Sequence, residues 1–227
     1  MVKTSDAPPV PTRTVYCEDA LPWLEARGVI DGASFVTSLP DYSELAPMSL
    51  EEWHAWFTRA ARRVIESCPA DGVAIFFQSD VVEHGAWIDK GHLVSRAADE
   101  AGARLLWHSI VCRAPAGQPV FGRPAYSHML CFCRRPGPGP RPRTKGARVD
   151  VLTDAGAKTW TRGMGVLACK AACRFIQSHT ASRVVVDPFC GHGTVLAVAN
   201  ALGLDAVGVE WSRRRAQKAR NLSLEQI

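Results

Sequence analysis

The stretch from residue 184 to residue 194, Val-Val-Val-Asp-Pro-Phe-Cys-Gly-His-Gly-Thr, constrains the fold more than any other part of the chain. Three consecutive β-branched residues are typical of a strand that is buried on both faces of a parallel sheet. Pro188 follows Asp187 and ends that strand. Gly191 and Gly193 allow the backbone to turn sharply and to approach a ligand closely. The stretch therefore predicts a strand that leads into a ligand-binding turn.

A helix and a second strand follow this turn. Apolar residues recur at helical spacing from Thr194 until Gly203, which predicts a helix that ends there. The next apolar run, residues 206–209, leads directly to Glu210. An acid at this strand tip is placed to accept hydrogen bonds from ribose hydroxyls, and the helix start can hold a carboxylate or phosphate. Spacing alone predicts a nucleoside-cofactor site of unspecified kind, with an ordinary parallel-sheet turn as the alternative.

Length and composition limit the remaining possibilities. With 227 residues the chain is long enough for one α/β domain, which we expect at residues 13–227 after a disordered tail at residues 1–12. No stretch approaches the ~20 apolar residues of a membrane helix. Residues 1–11 contain no apolar signal core, which predicts an intracellular, cytoplasmic protein or one whose signal has been removed. The eight cysteines form no zinc-type pair, so we expect reduced, buried thiols and no metal.

Between the tail and the glycine turn the chain alternates strands and helices, as α/β proteins do. Ser49 and Glu52 form a capping box at the start of one helix, and Trp53 on that helix is expected in the core. A Pro/Gly-rich loop between two apolar runs predicts a β-hairpin. Strands are expected at residues 14–17, 34–37, 72–77, 104–112 and 126–132, and helices at residues 18–24, 50–64, 93–101, 166–176 and 213–220.

Residues 134–148 form a loop with six basic and no acidic side chains. Alternating prolines block both helix and sheet there, so the loop is expected to be mobile. Two interpretations are about equally favoured. The loop is either a solvated linker or a segment that contacts phosphates through Arg141, Arg143 and Lys145. The net charge of +5 is compatible with a polyanionic partner but does not establish one.

Residues 187–194, followed by Gly-Val-Glu at 208–210, resemble the S-adenosylmethionine (SAM) motif of amino-methyltransferases that act on nucleic-acid bases. A dinucleotide dehydrogenase would show a third glycine before its helix. The glycine motif comes last in this chain, and Ser-Leu-Pro-Asp-Tyr at residues 38–42 comes early. That is the circularly permuted order of the β-class DNA N4-cytosine/N6-adenine methyltransferases. The resemblance extends over roughly residues 14–221.

This resemblance implies an α/β, Rossmann-like class I methyltransferase fold, with a mainly parallel seven-stranded sheet closed by an antiparallel hairpin. SAM is the implied cofactor. Asp19 would accept from its adenine, and residues 162–165 occupy the place of the family's carboxylate-binding motif, although they depart from its usual His-Pro-Thr-Gln-Lys-Pro sequence. The implied cofactor-binding residues are Asp19, Gly163, Met164, Gly165, Asp187, Pro188, Phe189, Cys190, Gly191, Gly193, Thr194, Glu210 and Trp211.

The catalytic motif is where the chain departs most from this family. Family members carry Asp/Ser-Pro-Pro followed by an aromatic residue, which stacks on the flipped base. If Ser38 takes the polar position, Tyr42 is displaced by one residue, and if Tyr42 keeps the aromatic position, Leu39 replaces the polar residue. Asp41 is new in both alignments, and it could serve as a base or cap a turn. We expect catalytic roles for Ser38, the Pro40 carbonyl, Asp41 and Tyr42.

The resulting functional hypothesis is a SAM-dependent methyltransferase that acts on a nucleic-acid base. Because no segment resembles a separate target-recognition domain, structured RNA such as tRNA or rRNA is favoured over DNA. The alternatives are a DNA amino-methyltransferase, a small-molecule or protein methyltransferase on the same fold, and an inactive SAM-binding partner subunit. The expected partner is therefore nucleic acid rather than a membrane, in a chain that forms a homodimer or joins a partner subunit.

Overall fold

The structure, a computed structural model, describes residues 10–45, 47–134 and 149–227. Its strands alternate with helices along the chain, as the sequence predicts. The strands are β1 (Arg13–Tyr16), β2 (Ala33–Thr37), β3 (Ala74–Gln78), β4 (Val81–Glu83), β5 (Ala86–Ile88), β6 (Arg104–Cys112), β7 (Tyr126–Cys133), β8 (Val151–Leu152), β9 (Val184–Asp187) and β10 (Asp205–Val209). The α-helices are α1 (Ala20–Arg27), α2 (Leu50–Ser67), α3 (Lys90–Glu100), α4 (Val166–His179), α5 (Thr194–Ala201) and α6 (Arg213–Asn221).

The main sheet has the strand order β1-β10-β9-β2-β3-β7-β6-β8. Its first five strands are mutually parallel, and β7 runs antiparallel to both β3 and β6. The expected fold class is confirmed. The sheet has eight strands rather than the expected seven, because the short strand β8 pairs in parallel with β6.

Helices cover both faces of the sheet and divide the core into two layers. One layer holds α1, α2 and α3 against inward side chains such as Phe35 and Phe76. The other holds α4, α5 and α6 against Val36 and Ile75, which point the opposite way. Successive residues of β2 and β3 thus face opposite layers, and both faces are apolar. This explains why these strands read as continuous apolar runs rather than as alternating ones.

Several local predictions are confirmed by the hydrogen bonds at the start of α2. Ser49 Oγ accepts from the Glu52 N–H at 3.2 Å, and Glu52 Oε2 accepts from the Ser49 N–H at 2.7 Å. Trp53, on the buried face of that helix, is fully buried as expected. None of the eight cysteines forms a disulfide, and six of them are buried as expected, whereas Cys17 is exposed and Cys112 is partly exposed. All six predicted helices begin and end within three residues of their predicted bounds.

The sequence analysis missed the two-stranded sheet formed by β4 and β5. Its loop consists of His84 and Gly85, and both have positive φ, 51° and 78°. A tight hairpin turn requires such angles and usually carries Asn-Gly or Asp-Gly. Because His84 stands where Asn or Asp is usual, the local sequence did not indicate a hairpin turn.

The expected tail at residues 1–12 lies largely outside the described residues, since the description begins at residue 10. The basic loop at 134–148 lies outside them too, apart from Arg134, so Arg141, Arg143 and Lys145 receive no structural account. Within the described ranges, no helix is both long and apolar enough to cross a membrane.

The strand order reverses between β9 and β2. From β9 the chain passes through α5 to β10 on one side, and from β2 it passes through α2 to β3 on the other. In open parallel sheets, ligands bind where such a reversal occurs, beyond the carboxyl ends of the strands. The fold therefore brings two turns together at this edge. The glycine turn, residues 188–193, follows β9, and the Ser38 turn, residues 38–42, follows β2.

Candidate functional site

A cavity of about 840 Å³ opens at the carboxyl edge of the sheet. This volume falls within the range of about 300–1,000 Å³ that is typical of small-molecule sites. Its walls come from residues that follow β1, β2, β9 and β10 and from the segment before α4. Among the residues proposed from the sequence, the lining includes Asp19, Ser38, Pro40, Gly163, Met164, Asp187, Pro188, Phe189, Cys190, Gly191, Thr194, Glu210 and Trp211.

The glycine turn is held by backbone bonds and by the close approach of α6. The Cys190 N–H donates to the Val209 carbonyl at 3.0 Å, which ties the turn to β10. Gly193 precedes α5 with a φ of 86°, a left-handed conformation that favours glycine. A Cβ at Gly193 would lie 2.8 Å from the Cα of Ala219 on α6. Gly193 thus supports the turn from behind and does not line the cavity.

Asp187 joins the ends of β9 and β2. Its Oδ1 accepts from the Thr37 hydroxyl at 2.7 Å and from the Phe189 N–H at 3.1 Å. Burial raises the pKa of Asp187 to about 7, although both hydrogen bonds favour the charged form. Asp187 is 3% exposed and lines the cavity, so the main effect of its carboxylate is to fix the two strand ends relative to each other.

Glu210 stands at the tip of β10, where the sequence places a ribose acceptor. Its Oε1 accepts from the Ser212 N–H at 2.8 Å and from Arg215 Nε at 2.9 Å. No hydrogen bond from a described residue reaches its Oε2. One carboxylate oxygen therefore anchors the side chain and the other is free to accept from a ligand in the cavity.

Asp19 and Trp211 lie on the cavity wall near Glu210. Asp19 caps α1, and its Oδ1 accepts from the Leu21 N–H at 3.0 Å. Trp211 is 73% exposed, which is unusual for the largest apolar side chain. An exposed tryptophan on a cavity rim offers a flat surface against which a planar ring can stack.

The segment before α4 shapes the opposite wall around Trp160. Its ring stacks against His192 of the glycine turn, with centroids 5.3 Å apart and planes inclined by 31°. Gly163 allows this packing, because a Cβ there would lie 2.7 Å from the Trp160 ring. At Gly165, a Cβ would lie 2.1 Å from the Ala155 carbonyl oxygen, so that glycine allows the backbone of the segment to pack closely on itself. Gly165 does not line the cavity, whereas Gly163 does.

The Ser38 turn also lies at this edge, directly after β2. No described residue makes a hydrogen bond to the Ser38 side chain, which lines the cavity. The Pro40 carbonyl accepts from Trp53 Nε1 at 3.3 Å. Tyr42 packs edge-on against Trp53, with centroids 6.4 Å apart, and lines no described cavity. The geometry thus makes Ser38 available to a ligand and turns Tyr42 away from it.

Asp41 is part of a buried ionic group rather than a free carboxylate. Its Oδ1 accepts from the Lys90 ammonium, and its Oδ2 accepts from Arg123 at 2.8 Å. Burial opposes ionisation of Asp41, but Lys90 and Arg123 outweigh it and hold the pKa below its ordinary value. A carboxylate with both oxygens engaged and a lowered pKa is a poor proton acceptor, so the structure disfavours Asp41 as a general base.

A second hydrogen-bonded group fixes Lys90 from behind. Asp80 Oδ1 accepts from the Lys90 N–H at 2.9 Å, and Oδ2 lies 3.1 Å from His128 Nε2. His128 Nδ1 is 3.0 Å from His108 Nε2. Asp80, Asp89 and His128 bring potential metal ligands within 4.8 Å of one another, but Asp80 and Asp89 already accept from backbone N–H groups. We therefore treat this group as support for α3.

Sequence reasoning missed Lys90, Arg123 and Trp160, which hold the site together. Lys90 is a lone lysine at the start of a helix, and no motif distinguishes it from a solvated one. It becomes recognisable only because it is 2% exposed and paired with Asp41. Trp160 could not be recognised from local sequence, because the ring that it packs against, His192, lies 32 residues further along the chain.

Comparison of the sequence with known protein families and with curated proteins finds no match. Solved structures do resemble it. A protein described as a putative DNA modification methylase from Thermus thermophilus superposes with a TM-score of 0.69 and 20% identity, covering 92% of this chain and 93% of that one. Its complex with SAM superposes with a TM-score of 0.68 and 21% identity, covering 92% of each chain.

A third similar structure is the PvuII DNA methyltransferase, described as cytosine-N4-specific. It superposes with a TM-score of 0.68 and 17% identity, covering 96% of this chain and 90% of that one. The chain has the fold of these methyltransferases. The resemblance drawn from residues 187–194 is thus confirmed at the level of the fold. Both of these similar proteins are described as acting on DNA, and neither is described as acting on RNA.

Proposed function

We propose that the protein is a SAM-dependent methyltransferase that modifies an amino group of a DNA base. The observation that carries this proposal is one cavity that joins the free oxygen of Glu210 to the unpaired hydroxyl of Ser38. Glu210, which can accept hydrogen bonds from a cofactor, and Ser38, which can contact a substrate, thus line one cavity. Proteins described as DNA methylases have the same fold. Because fold alone does not determine function, these side chains are what support the proposal.

The residues of the large cavity fit SAM chemically. Glu210 Oε2 would accept from the ribose hydroxyls, and Asp19 on the cavity wall would accept from the adenine amine. The exposed Trp211 offers a surface to the adenine ring. When bound, SAM supplies a methyl group attached to a positively charged sulfur. The chain's own contribution is to hold the acceptor in line, since this reaction depends mostly on positioning.

Ser38 is our candidate for the contact with the target amine. Its hydroxyl has no described partner and can accept a hydrogen bond from an amine N–H, which turns the nitrogen lone pair toward the cavity. The Pro40 carbonyl retains one lone pair beside its bond to Trp53 and can accept a second N–H. Asp41 has a positioning role here, because it fixes Lys90 and Arg123 beside the turn.

The experiment that tests this function follows tritiated SAM into separate DNA, RNA and protein fractions, using the full chain. We expect label in DNA, recovered as an N-methylated nucleoside after digestion. Label in RNA or protein instead would contradict the DNA assignment and favour one of the other substrate classes. SAM binding without label in any fraction would favour an inactive partner subunit.

A Glu210→Ala variant tests the cofactor assignment separately from the substrate. Loss of a charged acceptor for the ribose should weaken SAM binding by about 1.5–3 kcal/mol, measured by calorimetry. Glu225→Ala is the matched control, because it removes the same side chain from an exposed position away from the cavity. Equal SAM affinity in the two variants would remove Glu210 from the cofactor site.

A further inference from the structure

A second, smaller cavity of about 40 Å³ lies beside the Ser38 turn. It shares Ser38, Leu39, Glu44, Arg162 and Gly163 with the large cavity, so the two are neighbours across the turn. Its other walls come from the start of α3, the end of β6 and the loops before β7 and α4. We name it the cationic pocket after its basic lining residues Lys90, Arg113, Arg123, Lys158 and Arg162.

Positive charge in the cationic pocket is not balanced by the protein. The two acidic lining residues are Asp41 and Glu44, so five basic side chains leave an excess of three positive charges. Asp41 is occupied by Lys90 and Arg123, and Glu44 lies 3.5 Å from Arg162. The remaining two cations, Arg113 and Lys158, form no ion pair with any described carboxylate.

The pKa values of Arg113 and Lys158 are both lowered by burial and by neighbouring positive charges. Burial and the neighbouring guanidinium of Arg123 lower the pKa of Arg113. Burial, Arg113 and Arg123 lower the pKa of Lys158, and the more distant Asp154 offsets this in part. Like charges held together at a partly dehydrated site raise the free energy of the protein unless an anion is bound between them.

The dimensions of the pocket select among anions. A volume of about 40 Å³ holds about three water-sized groups, which suits a tetrahedral oxyanion. Arginine guanidinium groups present paired donors that match phosphate oxygens, and lysine adds a point charge. Ser79 and Thr161 line the same pocket, and the Ser79 hydroxyl is hydrogen-bonded to the hydroxyl of Ser127. A nucleobase is too large for the space and makes no use of the excess charge.

We propose that the cationic pocket binds a phosphate group of the methyl acceptor, next to the amine presented at Ser38. This proposal rests on the proposed function and extends it, because it places a backbone phosphate of the target strand beside the reacting base. Phosphate contacts of this kind fix the register of a nucleic acid without reading its sequence. A free nucleotide would offer the same phosphate chemistry, and the experiment separates the two sources.

The test variant is Arg113→Gln/Lys158→Gln, which removes the two unpaired cations and leaves the Asp41 ion pairs in place. Arg96→Gln/Lys170→Gln is the matched control, since it removes the same charges from positions that line neither cavity. Calorimetric titration of the full chain with inorganic phosphate measures the affinity of the cationic pocket directly. We expect at least tenfold weaker phosphate binding in the test variant and unchanged binding in the control.

Kinetics with duplex DNA and with a nucleoside monophosphate identify the source of the phosphate. For a backbone phosphate, the test variant raises KM for DNA at least tenfold with kcat within threefold, and its salt dependence falls by one to two units of slope, about one per lost contact. A rise in KM for the monophosphate alone would assign the pocket to a free nucleotide. Inorganic phosphate affinity that is equal in test and control variants would overturn the proposal.

A failure of the proposed methyltransferase function can be distinguished from a failure of the phosphate-site proposal. SAM affinity is measured in the same variants and depends on Glu210 rather than on the cationic pocket. If the wild type binds no SAM but binds phosphate with loss in the test variant, the phosphate site stands and the methyltransferase assignment falls. If SAM binds normally and phosphate binding is indifferent to Arg113 and Lys158, the phosphate site falls, and the transfer of label from SAM decides the methyltransferase assignment independently.

Discussion

Breaking the ion pair between Asp41 and Lys90 should destabilise the protein strongly, and removing both charges should largely restore it. The Lys90 side chain is 2% exposed and the Asp41 side chain 9%, so neither charge is solvated. In Asp41→Asn, the ammonium of Lys90 stays buried without its paired carboxylate, and only the weaker attraction of Asp80 remains. Removing one partner of a buried pair costs about 3–5 kcal/mol, which is a large part of the stability of a domain.

Replacement of both partners by uncharged residues behaves differently. Asp41→Asn/Lys90→Met leaves no buried charge at this position, and Arg123, 35% exposed, can be solvated instead. Such replacements are often close to neutral. We therefore expect the double variant to recover at least about 2 kcal/mol relative to Asp41→Asn, which is a coupling typical of residues in one network.

Urea denaturation followed by circular dichroism at pH 7 measures these free energies of unfolding. The pKa of Asp41 lies below its ordinary value, so the stability that it contributes is present at neutral pH and is lost as the pH falls through that lowered pKa. The difference between wild type and Asp41→Asn should therefore shrink in acid. A cost below about 1 kcal/mol at pH 7, or no recovery in the double variant, would refute the reasoning.

Three further predictions concern the glycine turn and α2. Burial raises the pKa of Asp187 to about 7, so the stability that this group contributes is lost as the pH rises from about 4 to 7. Over that range the free energy of unfolding of Asp187→Asn should rise relative to the wild type by up to about 1.4 kcal/mol per pH unit, as measured by thermal melts. Parallel stability curves for the two proteins would contradict this. Gly193→Ala should lower the free energy of unfolding, measured in urea, by about 1–3 kcal/mol more than Gly203→Ala. Both glycines have positive φ, but only a Cβ at Gly193 would clash with Ala219. Ser49→Ala should lower the free energy of unfolding by about 1 kcal/mol through loss of the helix cap, and an unchanged urea midpoint would argue against it.

The glycine turn illustrates what local sequence can predict. The β-branched run, the two glycines and the apolar spacing of α5 lie within about twenty residues, and each imposes its own backbone preference. The same holds for the capping box at Ser49, whose two hydrogen bonds join residues three positions apart. These elements were predicted correctly because their stabilising contacts are local or depend only on which face is buried.

The roles of the residues in the Ser38 turn were less accessible. The motif alone suggested that Asp41 could act as a base and that Tyr42 could stack on the target. In the structure Asp41 is engaged by two cations and Tyr42 packs on Trp53, away from the cavity. The partners of these side chains come from α2, α3 and the loop before β7, and no spacing rule connects them to the turn.

The sequence by itself determined the fold class, the edge of the sheet that carries the large cavity and the acid at the tip of β10. The tertiary structure alone decided the ionic environment of that edge. Lys90 and Asp41 are 49 residues apart, and the basic residues of the cationic pocket range from 90 to 162 of the chain. The physical reason is that the protonation and availability of a charged side chain depend on burial and on neighbouring charges, which are set by the packing of distant segments rather than by local sequence.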